Sequence, residues 1–256
     1  MSERRSIRWA GTIAIVLFAA PLAVLALQAF AEVWRYPSLF PQQLGLRGFR
    51  VAFEGSGAGP ATINSLAVAL MTTVLAVLIA WPAARALGRA HGRWRTAVLL
   101  VLALPLLVPP FATGTGLAEW FIRLGLADTR VGLVLAHLTV VLPYVLLVLI
   151  PAFSPRVIEL EEMARSLGTG PLRRLVLVTL PSTRAVLAAA ALLGFLVSWS
   201  QYGSSLAVGG GLPMLPLTLL PFIGSDPTVA AALSLLFLVP AILALALASR
   251  AAREAL

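Results

Sequence analysis

Cysteine is missing from the chain, which excludes disulfides, thiolate catalysis and cysteine-ligated metals from the outset. Lysine is missing too: every basic residue is an arginine, and aspartate occurs only at Asp128 and Asp226. Charge is scarce, at 11% of residues, where soluble domains run near a quarter. Apolar side chains make up 60% of the sequence, and the mean hydropathy is +0.96. A water-soluble fold of 256 residues could not hide that much apolar surface, so most of the chain must be solvated by lipid. The net charge of +9 would suggest nucleic acid in a soluble protein; here its placement points to membrane orientation instead.

A bilayer core of ~30 Å needs ~20 apolar residues of helix. Six uncharged runs of that length occur, roughly Ala10 to Ala31, Ile63 to Ala84, Thr96 to Ala118, Val131 to Phe153, Ala185 to Val208 and Val229 to Ala248. Arg4, Arg5 and Arg8 ahead of the first run could mark a secretory signal, but that run exceeds the usual ~7–15 apolar residues and more spans follow, which favours a retained helix. Arginines cluster before span one and after spans two, four and six, so fourteen of nineteen fall on one side. The positive-inside bias makes that side cytoplasmic and places both termini there. Trp9, Trp34, Tyr36, Trp81, Trp94 and Trp120 sit at or just beyond span ends, where an aromatic ring meets both lipid and water. Pro21, Pro105, Pro109, Pro110, Pro143 and Pro240 interrupt the spans and predict bent helices in a bundle with a cavity. The expected fold is all-α: a single polytopic domain over residues 1–256 with six transmembrane helices.

The cytoplasmic loop at 154–183 is too polar to enter the membrane and reads as two short helices around a glycine turn. Ser154 is placed to cap the first helix, Pro155 to occupy its first position, and Gly168 to end it in the left-handed conformation. Leu160, Met163, Ala164 and Leu167 form one stripe at spacing three and four, while Glu159, Glu162 and Ser166 face elsewhere. Glu161 and Arg165, four apart, are expected to pair on the exposed helix surface. Such a stripe needs a partner, either its own bundle or another protein.

Glu162-Met163-Ala164, then Gly168 after three residues, then Val178, Leu180 and Pro181 after nine more, resembles the EAA loop of permease subunits in binding-protein-dependent ABC importers. The departures are Met163 for Ala and Val178 for Ile, both apolar. Further fragments look familiar from the same group: Asn64-Ser65-Leu66, Pro82-Ala83 with Leu87 and Arg89, Leu135-Ala136-His137 with Pro143, and Leu217-Thr218-Leu219. The resemblance implies a type I importer-like bundle whose first loop helix docks into a cleft on a separate ATPase. Glu162 would make polar contacts at the rim, Ala164 would allow close approach and Gly168 the sharp turn. It also implies two ATPase copies, a second permease subunit of the same or a homologous kind, an extracytoplasmic solute-binding protein, and a place in the bacterial inner membrane. The general look is closest to the branch handling polyamines, thiamine, ferric iron and small oxyanions. No phosphate-binding GxxxxGK[ST] motif occurs, so ATP and magnesium are expected to be used by the partner, with no cofactor or metal held here and no catalysis by this chain.

Span five carries Ser198, Gln201, Tyr202 and Ser205 at spacing three and four, candidates for one polar face along a translocation pathway or for bonds between helices. Ala190, Gly194 and Ser198 form a small-residue seam, either within the bundle or at a dimer interface. His137 is the ionisable side chain well inside a span; the preferred reading is structural, with the ring bonding a carbonyl freed by Pro143. The alternative class, an ion-coupled secondary transporter, would need intramembrane charges or an inverted repeat, and neither is found. A membrane-embedded enzyme would need clustered nucleophiles or metal ligands near a span end, and an exporter would not carry this loop.

Overall fold

A computed structural model describes residues 2–253. Met1 and residues 254–256 lie outside the described residues, as do the side chains of Arg4, Arg5, Arg8 and Arg253 used in the topology reading. Helix α1 (Ser2–Ala29) leads into a small antiparallel hairpin, β1 (Ala31–Val33) with β2 (Gln43–Leu44), and a short α2 (Arg47–Glu54). Then come α3 (Ala58–Arg89), α4 (Arg93–Leu107), α5 (Pro110–Arg123) and α6 (Arg130–Leu149). The loop helix α7 (Pro155–Ser166) is followed by α8 (Pro171–Arg174), α9 (Leu180–Trp199), α10 (Gly203–Val208), α11 (Leu215–Ser225) and α12 (Pro227–Arg253). The architecture is helical as expected, with the two-stranded hairpin as its one addition among the described residues.

Among the described residues, four stretches are long and apolar enough to cross a bilayer: Ala58–Arg89, Arg130–Ala152, Pro171–Trp199 and Pro227–Arg250. The expected third span is broken. Helices α4 and α5 meet at a 93° bend, and together they make a fifth crossing only if the pair is one bent span. The cause is Pro109-Pro110: each proline pushes the residue before it out of helical conformation, and Val108 and Pro109 are both extended, with ψ of 128° and 135°. Pro21, Pro105, Pro143 and Pro240, by contrast, lie within helices that run on through them. Span one ends at Ala29, and its described apolar stretch is Ile15–Ala29. The described residues thus support four or five crossings by length and composition, with the sixth expected run inside α1.

Contacts divide the chain into two units, one of residues to Ala61 with Thr218–Val239, the other of Thr62–Leu217 with the residues from Pro240. In the first, Ala29, Ala231 and Ala232 form a small core flanked by Leu25, Phe49 and Leu235. Arg47 grips Asp226 through two hydrogen bonds of 2.8 and 2.9 Å, which hold the carboxyl below the usual aspartate range.

The second unit is built on α6, whose Leu133, Val141, Val145, Leu146 and Leu149 are fully enclosed. Helix α9 lies along it through the small-residue seam. A Cβ on Gly194 would come within 2.8 Å of Val145 Cγ2, and Ala190 and Ser198 are buried on the same side. The seam therefore serves packing inside this unit, a question the sequence left open. Phe121 of α5 and Val208 of α10 close over Ala136 on another side of α6.

Candidate functional site

Helix α7 starts with Pro155 at its first turn and Ser154 in extended conformation at the N-cap, yet the Ser154 side chain makes no capping bond. Its C-terminal turn ends as expected: Gly168 has φ +77°, and the Gly168 amide bonds Arg165 O at 2.9 Å. Any side chain there would be strained.

The second loop helix is not a separate element. Pro171 begins a helix that runs through a π-helical stretch, Leu175–Thr179, into α9, so the expected start of span five at Ala185 moves back to Pro171. Pro181 explains the widened turn: it offers no N–H to the helix ladder, and the chain absorbs the gap one residue earlier, where the Leu180 amide reaches back to Leu175 O. Thr183 Oγ1 then donates to Thr179 O at 2.7 Å. Leu180 and Pro181 thus form the junction between loop and span, with Leu180 partly exposed.

The largest correction concerns Glu161. It does not pair with Arg165 on an exposed face; it is buried, with 3% of its side chain accessible. Arg85 donates to its Oε2 at 2.7 Å, Arg89 donates to the same oxygen, and Thr179 Oγ1 donates to Oε1 at 2.6 Å. Burial alone would raise the Glu161 carboxyl, but the Thr179 hydroxyl and the Arg85 and Arg89 guanidiniums outweigh it and hold the group below the usual glutamate range. One carboxylate therefore ties α7 to the end of α3 and to the π-helical turn. With Val157, also buried, it defines the inner face of α7.

The stripe lies on the outer face. Leu160 is 39% exposed, Met163 58% and Leu167 85%, with Ala164 partly covered between them. Glu162 is exposed beside them, next to a shallow hollow formed with Glu159, Met163, Ser166 and Leu167. Glu162, Met163 and Gly168 are thus exposed and Ala164 partly covered, while Leu180 and Pro181 stand at the span junction.

The four polar residues of span five do not share one continuous helical face. Helix α9 ends at Trp199, and Ser205 lies on the separate α10. Ser198, Gln201 and Ser205 are buried, and only Tyr202 is open, at 39%. His137 sits between the two helices, with Nδ1 2.9 Å from Ser198 Oγ and Nε2 3.0 Å from Ser205 Oγ. Since the Ser205 hydroxyl donates to Gln201 O, it accepts from Nε2–H. The ring is a staple across the α9–α10 break, and its partners are hydroxyls, not the carbonyl freed by Pro143.

Sequence reasoning missed Arg85, Arg89 and Thr179 as partners of Glu161. The usable signal was the i,i+4 pair of arginines ending span two on a loop with one acidic residue in phase with Val157. It also missed a polar clasp at the opposite end of α3, where Arg130 donates to Asn64 Oδ1 at 2.8 Å, Asn64 Nδ2 donates to Pro213 O at 3.1 Å, and Ser65 Oγ accepts from the Leu215 amide at 2.9 Å.

No protein-family model matches the chain. Among curated relatives, it is 33% identical over 199 residues to the molybdenum transport system permease protein ModB of Mycobacterium tuberculosis, covering 72% of this chain and 75% of that one. It is 28% identical over 232 residues to the trehalose transport system permease protein SugB of the same species, covering 88% and 85%. Among solved structures, a chain of a bacterial ABC transporter involved in the import of the acidic polysaccharide alginate superposes with a TM-score of 0.71 over 98% of both chains at 18% identity, a likeness of fold.

Proposed function

The chain belongs to the permease subunits of ABC transporters, and from that premise we propose that α7 is the helix through which a separate ATPase drives this importer subunit. The observation that carries the reading is the division of α7 into two faces: Glu161 and Val157 fasten one to the bundle, while Leu160, Met163 and Leu167 remain uncovered on the other. A force applied to the open face passes through a buried, charge-assisted joint to α3 and α9. Flexible attachment would dissipate the same displacement.

In this reading two ATPase copies seat the α7 helices of a permease pair, Glu162 meets the rim of the cleft, and Gly168 lets the chain turn away. ATP and magnesium act in the partner, and this chain performs no catalysis. A small solute arrives from an extracytoplasmic binding protein, and both chain termini lie in the cytoplasm of the bacterial inner-membrane topology. Within the second unit, Tyr202 is the open member of the polar set and the one that contacts the pathway; Ser198, Gln201 and Ser205 are buried, and His137 braces the two serines.

The test uses the absence of native cysteine. Leu167→Cys in the full complex should cross-link to a cysteine in the ATPase cleft, and Gly168→Asp or Glu162→Lys should abolish substrate-stimulated ATP hydrolysis while the chain still inserts. Normal import by both variants would refute the role of α7.

A further inference from the structure

The C-terminal end of α3 presents Trp81, Arg85 and Arg89 at successive i,i+4 positions, an aromatic ring followed by two guanidiniums on one face. That order matches the passage from hydrocarbon through interface to headgroup. The Trp81 ring is fixed edge-on against Phe153, with centroids 5.4 Å apart, and its free side walls a groove of about 420 Å³ shared with Pro82, Ala86 and Leu175. Arg85 and Arg89 line this groove and also a second, smaller and more enclosed polar cavity of about 70 Å³.

In that cavity Arg165 and Arg174 join Arg85 and Arg89, facing Glu161 and Glu162: four guanidiniums against two carboxylates, a surplus of two positive charges. Glu161 is already committed to Arg85, Arg89 and Thr179. The buried Nε–H of Arg85 has no partner among the described residues. An apolar trough that opens onto an under-neutralised guanidinium cluster is complementary to a molecule with a hydrocarbon limb and an anionic head. Leu172, Val176 and Leu177, exposed on the adjoining turn, continue the apolar surface.

We propose that this paired groove and cavity is a binding site for an anionic glycerophospholipid. One acyl chain lies against Trp81, Pro82, Ala86 and Leu175, and the phosphate sits among Arg85, Arg89, Arg174 and Arg165. The lipid thereby bridges α3 to both sides of the Gly168 turn, the same elements that Glu161 joins. Its binding is independent of the coupling role of α7, because it requires no ATPase.

The experiment measures thermal unfolding of the delipidated full-length chain in neutral detergent with added dioleoyl phosphatidylglycerol, dioleoyl phosphatidylcholine or inorganic phosphate. Phosphatidylglycerol should raise the midpoint by roughly 5 °C at saturation, and the other two should not. Arg174→Gln should remove most of that shift, while Arg173→Gln, on the same turn but outside the cavity, should keep it. Ala86→Trp, which fills the apolar limb without touching a charge, should also abolish it and guards against a folding defect in the arginine variant. An equal shift with inorganic phosphate would make this a free-anion site and overturn the lipid assignment. An equal shift with phosphatidylcholine, no shift at all, or a full shift in both Arg174→Gln and Ala86→Trp would overturn it as well.

Discussion

Glu161 is where a single side chain decides most. Replacing it with glutamine removes the counter-charge of Arg85 and Arg89 while keeping the shape. With those arginines 32% and 42% exposed, solvent softens the loss, and the expected cost is about 2 kcal/mol, or roughly 4–8 °C in the melting midpoint. Its carboxyl titrates below the ordinary value, so between the two values the unfolded chain binds the proton and the folded one does not, and stability rises with pH there. The contribution is complete above about pH 5 and fades as pH drops below about 4. A melting series from pH 7 to 3 should show this fall in the native chain and a flatter profile in Glu161→Gln. For His137, both ring nitrogens are occupied by serine hydroxyls, which is a bracing geometry. His137→Asn should lower the midpoint by roughly 2–4 °C and leave import largely intact when membrane levels are matched. Complete loss of import in a normally assembled complex would assign the ring a direct part in transport.

At the scale of elements, two helices divide the labour. Helix α9 is set against α6 so closely that Gly194 has no room for a side chain. Gly194→Leu should therefore cost about 3 kcal/mol or more by overpacking, seen as a lowered midpoint or loss of assembled protein. Helix α7 is built the other way, with a fastened inner face and an open outer one. Leu167→Asp should leave the midpoint of the isolated chain within about 1 °C of native, because the residue is 85% exposed, and yet sharply reduce import. An unchanged import rate would show that the outer face has no docking role. The π-helical turn between these helices is the element that lets Pro181 sit at the junction while Thr179 still points at Glu161.

For the whole molecule, the consequential property is its orientation across the bilayer. The topology proposed from the arginine clusters puts the end of α3 and the α7 loop in the cytoplasm and the hairpin after α1 on the other side. Because no native cysteine interferes, single-cysteine variants can read this directly. Leu39→Cys, 85% exposed beyond β1, should react with an impermeant maleimide in intact spheroplasts. Ser166→Cys should react only after permeabilisation. The reverse pattern would invert the topology and place α7 out of reach of any cytoplasmic ATPase.

Composition and periodicity by themselves determined that this is a helical membrane protein, roughly where its apolar runs lie, and that Gly168 ends a loop helix beside an apolar stripe. Those features are local: they depend on residues within one or two turns, and water, lipid and backbone sterics enforce them whatever the rest of the chain does. Only the tertiary structure decided that Glu161 is buried, since its partners Arg85, Arg89 and Thr179 come from distant segments. The same holds for the Gly194 seam facing α6, and for Ser198 and Ser205 meeting at His137 across a helix break. The turn at Pro109-Pro110 was written locally but read as a kink; its 93° bend is what two consecutive prolines produce when neither preceding residue can stay helical. Long-range pairing of polar groups leaves little periodic trace, because one partner carries no signal of the other until the fold brings them within hydrogen-bonding distance.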